Sequence, residues 1–239
     1  MGSLMERYKR KGYRTAELYA STWSERSDTA TSTRLRCLYV KRVRHWIEFV
    51  ARHTSYRQIN VLAYSMGVPL VRKAIMGGWC VDTAEYLGSS LRSKVKTLIA
   101  VSGANWGLSY CASAAIAGTT CDPTTGLYPG LRECGPFSLP SAFLREINAA
   151  PAGTVWHTCG LTIGTLLPRG SEASSVYTIW SKADSVVLPR ICGRYSSKIP
   201  GQTGQFVSTR MSHKETLLDT VDRQLRMLRI GDRRKTRNR

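Results

Sequence analysis

A single α/β domain, with a mostly parallel sheet covered by helices on both faces, is the fold class this sequence predicts. Three observations predict it. Short apolar runs at 57–64, 94–102 and 174–181 alternate with stretches whose apolar residues recur at helical spacing. The first run passes into a helical pattern through one tight turn, Tyr64-Ser65-Met66-Gly67. The chain has 239 residues, 42% of them hydrophobic, enough for one substantial core, and it shows no internal repeat or second domain.

Taken in order, the spacing predicts a helix up to about Gly12 and an extended piece through Tyr19. A polar turn over 28–33 follows, rich in Ser and Thr. From Leu35 to about His53, Leu38, Val43, Trp46, Ile47 and Val50 suit an amphipathic helix. The strand at 57–64 leads into a helix that stops at Gly77-Gly78. Residues 79–93 read as a loop, 94–102 as the next strand, and 108–137 as a long excursion tied by cysteines. Leu139 to Ala149 reads as a short helix, and 174–181 as the last clear strand. His213 to about Leu228 reads as one amphipathic helix, with Leu217, Leu218, Val221, Leu225 and Leu228 facing inward. The domain is therefore expected over 1–228, with 229–239 a basic disordered tail.

The formal charge is +19, from 35 Lys and Arg against 16 Asp and Glu. Such a balance invites an anionic partner, either nucleic acid or an anionic lipid surface. No zinc-finger spacing, RNA-recognition signature or basic zipper is present, so nucleic acid is not expected, and the distribution of the charge favours a solvated surface with a disordered basic tail. No apolar run approaches the ~18 residues of a membrane span, and Met1 to Lys9 has no signal-peptide core. None of the seven cysteines forms a C-x-x-C pair, so zinc is poorly supported. Cys111, Cys121 and Cys134 sit in a Gly-, Thr- and Pro-rich region, and disulfides in an oxidising compartment fit better. The odd count leaves one cysteine over.

Ser65 lies where chemistry is expected. A strand, a turn and a helix with small residues two before and two after the serine (Ala63 and Gly67) form a nucleophile elbow, here A-x-S-x-G. The plain alternative is an ordinary strand-to-helix turn with Ser65 as a cap. Serine needs a base in hydrogen-bond reach, oriented by a carboxylate. In an α/β-hydrolase these follow in the order serine, acid, histidine. His45 and His53 precede Ser65 and fit the helix before the strand. His157 would need Asp82, Asp122 or Glu133, none of which closes a clear strand. His213 pairs instead with Asp184, just past the strand at 174–181 and so at the same sheet edge as the elbow. Met66, following the nucleophile, is the expected oxyanion donor through its N–H. A second donor normally comes from an earlier loop carrying His-Gly, and no such segment precedes residue 57.

At this point the sequence resembles the class 2 lipases typical of nematodes, relatives of the small lidless bacterial lipases. The likeness is carried by Val61-Leu62-Ala63-Tyr64-Ser65-Met66-Gly67, Arg72-Lys73-Ala74-Ile75-Met76-Gly77-Gly78 and Cys80-Val81-Asp82-Thr83. It continues through Val101-Ser102-Gly103-Ala104-Asn105-Trp106-Gly107, Phe143-Leu144-Arg145-Glu146-Ile147-Asn148, and Tyr177-Thr178-Ile179-Trp180-Ser181 with Asp184. Ile191-Cys192-Gly193 and Ser212-His213 complete it. The resemblance spans most of residues 12–228. It implies an α/β-hydrolase fold and hydrolysis of lipid carboxylic esters, with Ser65 as nucleophile, Asp184 as orienting acid, His213 as base and Met66 as oxyanion donor. It also implies a secreted, disulfide-bonded protein, and an N-terminal strand with an HG loop that this sequence lacks. No metal or organic cofactor is expected. The expected partners are a lipid ester substrate and, peripherally, an anionic lipid surface. The rival of another class is an inactive, truncated relative that binds lipid or another partner and keeps the triad as a relic.

Overall fold

The computed structural model describes residues 2–25, 27, 29, 31–130, 139–148 and 172–236, with side chains through residue 230. Cys134, Glu133 and His157 lie outside the described residues. The sheet is built from β1 (Ile59–Tyr64), β2 (Val95–Val101), β3 (Ser175–Ser181) and β6 (Gly204–Ser208), all parallel and in that spatial order. Register is continuous at the end that matters: Tyr64 lies opposite Val101, Val101 opposite Ile179, and Ser181 opposite Ser208. All four strands therefore release their chains at one edge.

Period-2 alternation sorts the strand residues between two helical layers. Ala63, Leu98, Ala100 and Val176 meet Val68, Val71 and Ile75 of α3 (Gly67–Met76) and Ile47 of α2 (Cys37–His53). On that side α4 (Ala142–Ile147) also packs, its Phe143, Leu144 and Ile147 sharing a cluster with Tyr39, Leu70 and Ala74. Ile99, Val101, Tyr177 and Ile179 face the other way. They meet Leu4 and Tyr8 of α1 (Gly2–Arg10), Leu217 of α5 (His213–Leu218), and Val221 and Leu225 of α6 (Val221–Thr236). This is the predicted three-layer α/β arrangement, with the elbow after β1 as in an α/β-hydrolase. Among the described residues no helix is long and apolar enough to cross a membrane.

The architecture departs from the sequence reading in three places. The strand at 174–181 is not the last. A short hairpin, β4 (Arg190–Ile191) with β5 (Arg194–Tyr195), and the edge strand β6 follow it. Gly204-Gln205-Phe206-Val207-Ser208 carries too few apolar residues to stand out as a strand, because as an edge it is only partly covered. The final helix is two helices, α5 and α6, and the inward leucine spacing runs across the break without marking it. The basic segment after Leu228, expected to be disordered, is helical through Thr236, in keeping with the helix propensity of Arg and Lys.

Helix α3 is buried along Gly67–Ile75, including two cations. A buried charge is tolerated only with partners. Arg72 donates to Glu172 Oε1 (2.8 Å), to Asn148 Oδ1 (2.8 Å), to Asn105 Oδ1 (3.2 Å) and to the Ile147 carbonyl. Lys73 donates to Glu146 and to the Gly77 carbonyl. The helix that carries the elbow is thus fixed to α4 and to the loop after β2 by charge-assisted bonds as well as by apolar packing.

Two disulfides close loops around this layer. Cys37–Cys80 spans 43 residues and ties the start of α2 to the loop after α3; Cys111–Cys121 spans 10 and closes part of the excursion after β2. Chain entropy assigns about 4 kcal/mol to the first and about 3 kcal/mol to the second. The double variant Cys37→Ser/Cys80→Ser is expected to lose more unfolding free energy in a denaturant titration than Cys111→Ser/Cys121→Ser. The reverse order would show that loop closure is not the main contribution of these bonds.

Candidate active site

Ser65 sits between β1 and α3 with φ 55°, a left-handed conformation that a serine adopts only under constraint. Its N–H donates to the Val101 carbonyl (2.9 Å), and its own carbonyl accepts from Val68 N–H (3.1 Å), so both sides of the residue are held. The flanking small residues have visible reasons. Ala63 is buried beneath α3. A Cβ on Gly67 would stand 3.2 Å from Trp23 Nε1, so the glycine lets the indole lie against the helix start. In the loop after β2 a Cβ on Gly103 would come within 2.7 Å of Val68 Cγ1, so the glycine lets that loop approach the elbow closely.

The structure brings the three expected side chains together. His213 Nε2 lies 2.9 Å from Ser65 Oγ, and His213 Nδ1 lies 2.7 Å from Asp184 Oδ2. Asp184 follows β3 and is buried; its Oδ1 accepts the N–H groups of Val186 and Val187, each at 2.9 Å. Both carboxylate oxygens are therefore committed, one to the turn and one to the imidazole. Burial pushes the Asp184 carboxyl up, but the hydrogen bonds from His213, Val187 and Val186 outweigh it and hold it below the usual carboxylate range. With an ionised acceptor on Nδ1, the neutral imidazole keeps its proton there and presents Nε2 as the acceptor for the serine proton.

His213 is the first residue of α5, and the sequence fixes that start. Ser212 caps the helix by accepting from Glu215 N–H, while Glu215 accepts from Ser212 N–H at 2.7 Å, a complete S-x-x-E capping box. Beneath the ring, the His213 carbonyl accepts two hydroxyls, from Tyr64 (3.1 Å) and from Thr216. The Thr216 hydroxyl in turn pairs with Ser102 Oγ at 2.7 Å. The Tyr64 ring lies 4.8 Å from the imidazole, tilted by 34°. Burial, and next the Asp184 charge, push the Tyr64 phenol up to about 12, so it remains a donor across the working pH range. Tyr64, Ser102 and Thr216 were not singled out as site residues from sequence. Tyr64 and Ser102 lie in segments that carry the family resemblance, Tyr64 beside the nucleophile, while Thr216 has no signal in the sequence.

Met66 is the N-cap of α3, where N–H groups have no intrahelical acceptor. Among the described residues no strand pairs with the outer edge of β1. Asp82 and Asp122, the alternative acids, are occupied elsewhere. Asp82 accepts from the Cys37 N–H at the start of α2, and Asp122 accepts N–H groups from Gly118, Thr124 and Thr125 in its own turn. His45 and His53 lie in α2. Cys37, Cys80 and Asp82 come close enough to suggest a metal set, but the two sulfurs are joined in a disulfide.

The low Asp184 carboxyl makes a stability prediction. A carboxyl held below its ordinary value contributes stability that is complete above that value, 3.8, and is lost as pH falls through the lower folded value. Asp184→Asn is therefore expected to melt below the parent chain at pH 7. The gap should narrow once pH falls below about 3.8, as followed by thermal melts. A gap independent of pH would show that the carboxylate charge is not what the fold stabilises.

A family model described as Lipase (class 2) matches residues 1–160 and 168–226. Comparison with curated proteins gave no match. Among solved structures, the chain is similar to a carboxylesterase of the ammonia-oxidizing thaumarchaeon Nitrososphaera gargenis, at 14% identity and TM-score 0.41, covering 81% of this chain and 73% of that one. It is also similar to a metagenome-derived lipolytic enzyme of the LipS and LipT pair (13%, TM-score 0.36, 80% and 73%) and to RedJ with a PEG molecule in its active site (14%, TM-score 0.34, 82% and 68%). These structural likenesses carry no weight for function. The family match covers nearly the whole sequence, and the chain belongs to the class 2 lipases.

Proposed function

We propose that this protein hydrolyses the carboxylic esters of lipids through an acyl-enzyme, with Ser65 as nucleophile, His213 as general base and acid, Asp184 as the orienting carboxylate and Met66 N–H as an oxyanion donor. The observation that carries the reading is the imidazole bridging Ser65 Oγ and Asp184 Oδ2 at 2.9 and 2.7 Å, over a serine held at φ 55°. Ser65 Oγ attacks the ester carbonyl carbon as its proton passes to His213 Nε2. The carbonyl oxygen takes the negative charge, opposite the Met66 amide. Collapse breaks the bond to the alcohol oxygen, which leaves with the proton from Nε2. Water then attacks the acyl-serine by the same route, releasing the acid and restoring the serine. Asp184 stays ionised throughout and stabilises the imidazolium. Residence in an oxidising, extracellular compartment accords with this family and with the two disulfides among the described residues.

The test is labelling with a fluorophosphonate beside hydrolysis of a soluble ester and of an emulsified triacylglycerol. Labelling is expected at Ser65 and lost in Ser65→Ala. Ser65→Ala and His213→Ala should each lower kcat by roughly 10⁶-fold and Asp184→Asn by about 10⁴-fold. A folded chain that neither labels nor hydrolyses would overturn the hydrolase and restore the lipid-binding relative without activity.

A further inference from the structure

The loops that carry Asp184 and His213 also carry an unbalanced charge. Between Lys182 and Lys214 the sequence holds six Lys and Arg but a single acidic residue, Asp184, which is buried against His213. The two loops leave adjacent strands. Lys182 N–H donates to the Ser208 carbonyl (2.8 Å), and Ser208 Oγ accepts the N–H groups of Arg210 (3.2 Å) and Met211 (3.1 Å). They therefore form one continuous rim beside the triad.

The six cations divide by environment. Arg190 and Lys198 lie over the Tyr195 ring and Arg194 over Trp106, at 4.2–4.7 Å, so their charge is turned to aromatic faces. Lys182, Arg210 and Lys214 are exposed, and among the described residues none of them forms an ion pair with a carboxylate. Glu215, next to Lys214, is taken up by the Ser212 N–H of its capping box. Elsewhere the acids are engaged: Asp219 with Arg7, Glu6 with Lys9, Asp222 with Lys11, Glu85 with Lys41 and Glu25 with Arg42. On the turn that Asp184 itself caps, shortly after Lys182, Val186 and Leu188 are 50% and 40% exposed. Exposed aliphatic side chains beside lysine and arginine suit a surface that is anionic at the headgroups and apolar below them. A phosphodiester backbone would use the cations but offers nothing to Val186 and Leu188.

We propose that this rim, Lys182, Arg210 and Lys214 with Val186 and Leu188, docks the protein on an anionic lipid surface and holds the Ser65 site at that surface. The proposal rests on the hydrolase reading only for what docking achieves; the binding itself needs no catalysis. Each cation near an anionic leaflet contributes enough that reversing three of them changes affinity on the order of 100-fold or more, and the attraction weakens steeply with salt.

The experiment uses the full chain carrying Ser65→Ala, so that vesicles are not consumed, and measures its partition onto vesicles of neutral phosphatidylcholine and of phosphatidylcholine mixed with phosphatidylserine. Preference for the anionic vesicles, weakened by salt, is expected. Lys182→Glu/Arg210→Glu/Lys214→Glu should weaken that binding by about 100-fold. The control Arg52→Glu/Arg57→Glu/Lys94→Glu changes the same charge at the opposite end of β1 and β2 and should weaken it far less. Val186→Ser/Leu188→Ser should reduce binding while leaving its salt dependence. Equal loss in the two triple variants would overturn the proposal by showing that net charge alone governs binding. So would equal binding to neutral vesicles, or capture of duplex nucleic acid and of neither vesicle. Because reversal could disturb the loops, the charge-reversed rim is also placed on the Ser65 chain, where labelling and soluble-ester hydrolysis should be unchanged. If even the unreversed Ser65 chain fails to label, the hydrolase reading falls and the vesicle result stands on its own.

Discussion

The active edge depends on one backbone conformation, Ser65 at φ 55°. A serine in the left-handed region costs on the order of 1–3 kcal/mol, and persists only where the surroundings over-determine it. Here they do. The Ser65 amide is tied to Val101 on the neighbouring strand, α3 begins at once with Val68 bonded back to Ser65, and Gly103 and Gly67 allow Val68 and Trp23 to close in without a clash. Helix α3 cannot relax away from the sheet, because Arg72 and Lys73 are buried with partners on α4, on the loop after β2 and at Glu172. The strain at the serine is therefore maintained by interactions up to 100 residues distant in sequence.

The base is held by a different logic. A histidine side chain on a helix terminus would ordinarily share the mobility of that terminus, but the His213 carbonyl accepts a hydroxyl from the end of β1 and another from α5 that is itself tied to the end of β2. The capping box fixes the helix start, and Asp184 fixes the ring. Backbone and side chain are thus constrained independently, and the imidazole reaches Ser65 from a frame anchored on three strands of the same parallel sheet.

How much of this was legible in the sequence follows from where each signal resides. The elbow could be read because its constraint is local: Ala63 and Gly67 flank the serine within one turn. Asp184 and His213 could be paired because chain order and sheet edge narrow the choice; Asp122 was set aside because it closes no clear strand, and the structure adds a separate reason, that its oxygens build their own turn. The clamp from Tyr64, Thr216 and Ser102 was not legible, because hydroxyl side chains are common and their pairing at separations of 114 and 149 residues has no local signature. The same holds for Arg72 and Lys73, which look like solvent-facing cations until Glu172 and Glu146 are seen beside them. Strand β6 escaped because an edge strand of five residues beginning with Gly204-Gln205 needs little apolar content.

The charge distribution shows why function and surface are coupled in this fold. A composition of +19 leaves more cations than carboxylates can pair, so unpaired ones must lie somewhere on the surface. At the strand ends, the acid that would neutralise the rim is Asp184, and it is withdrawn beneath His213. Orienting the base therefore withdraws one carboxylate from the rim, and the turn that Asp184 caps through Val186 and Val187 is the one that raises Val186 to the surface. One carboxylate thus sets the imidazole and shapes the apolar turn, beside Lys182, Arg210 and Lys214, which form no ion pair among the described residues. A lipid surface that met those cations would meet them on the two loops whose geometry defines the site.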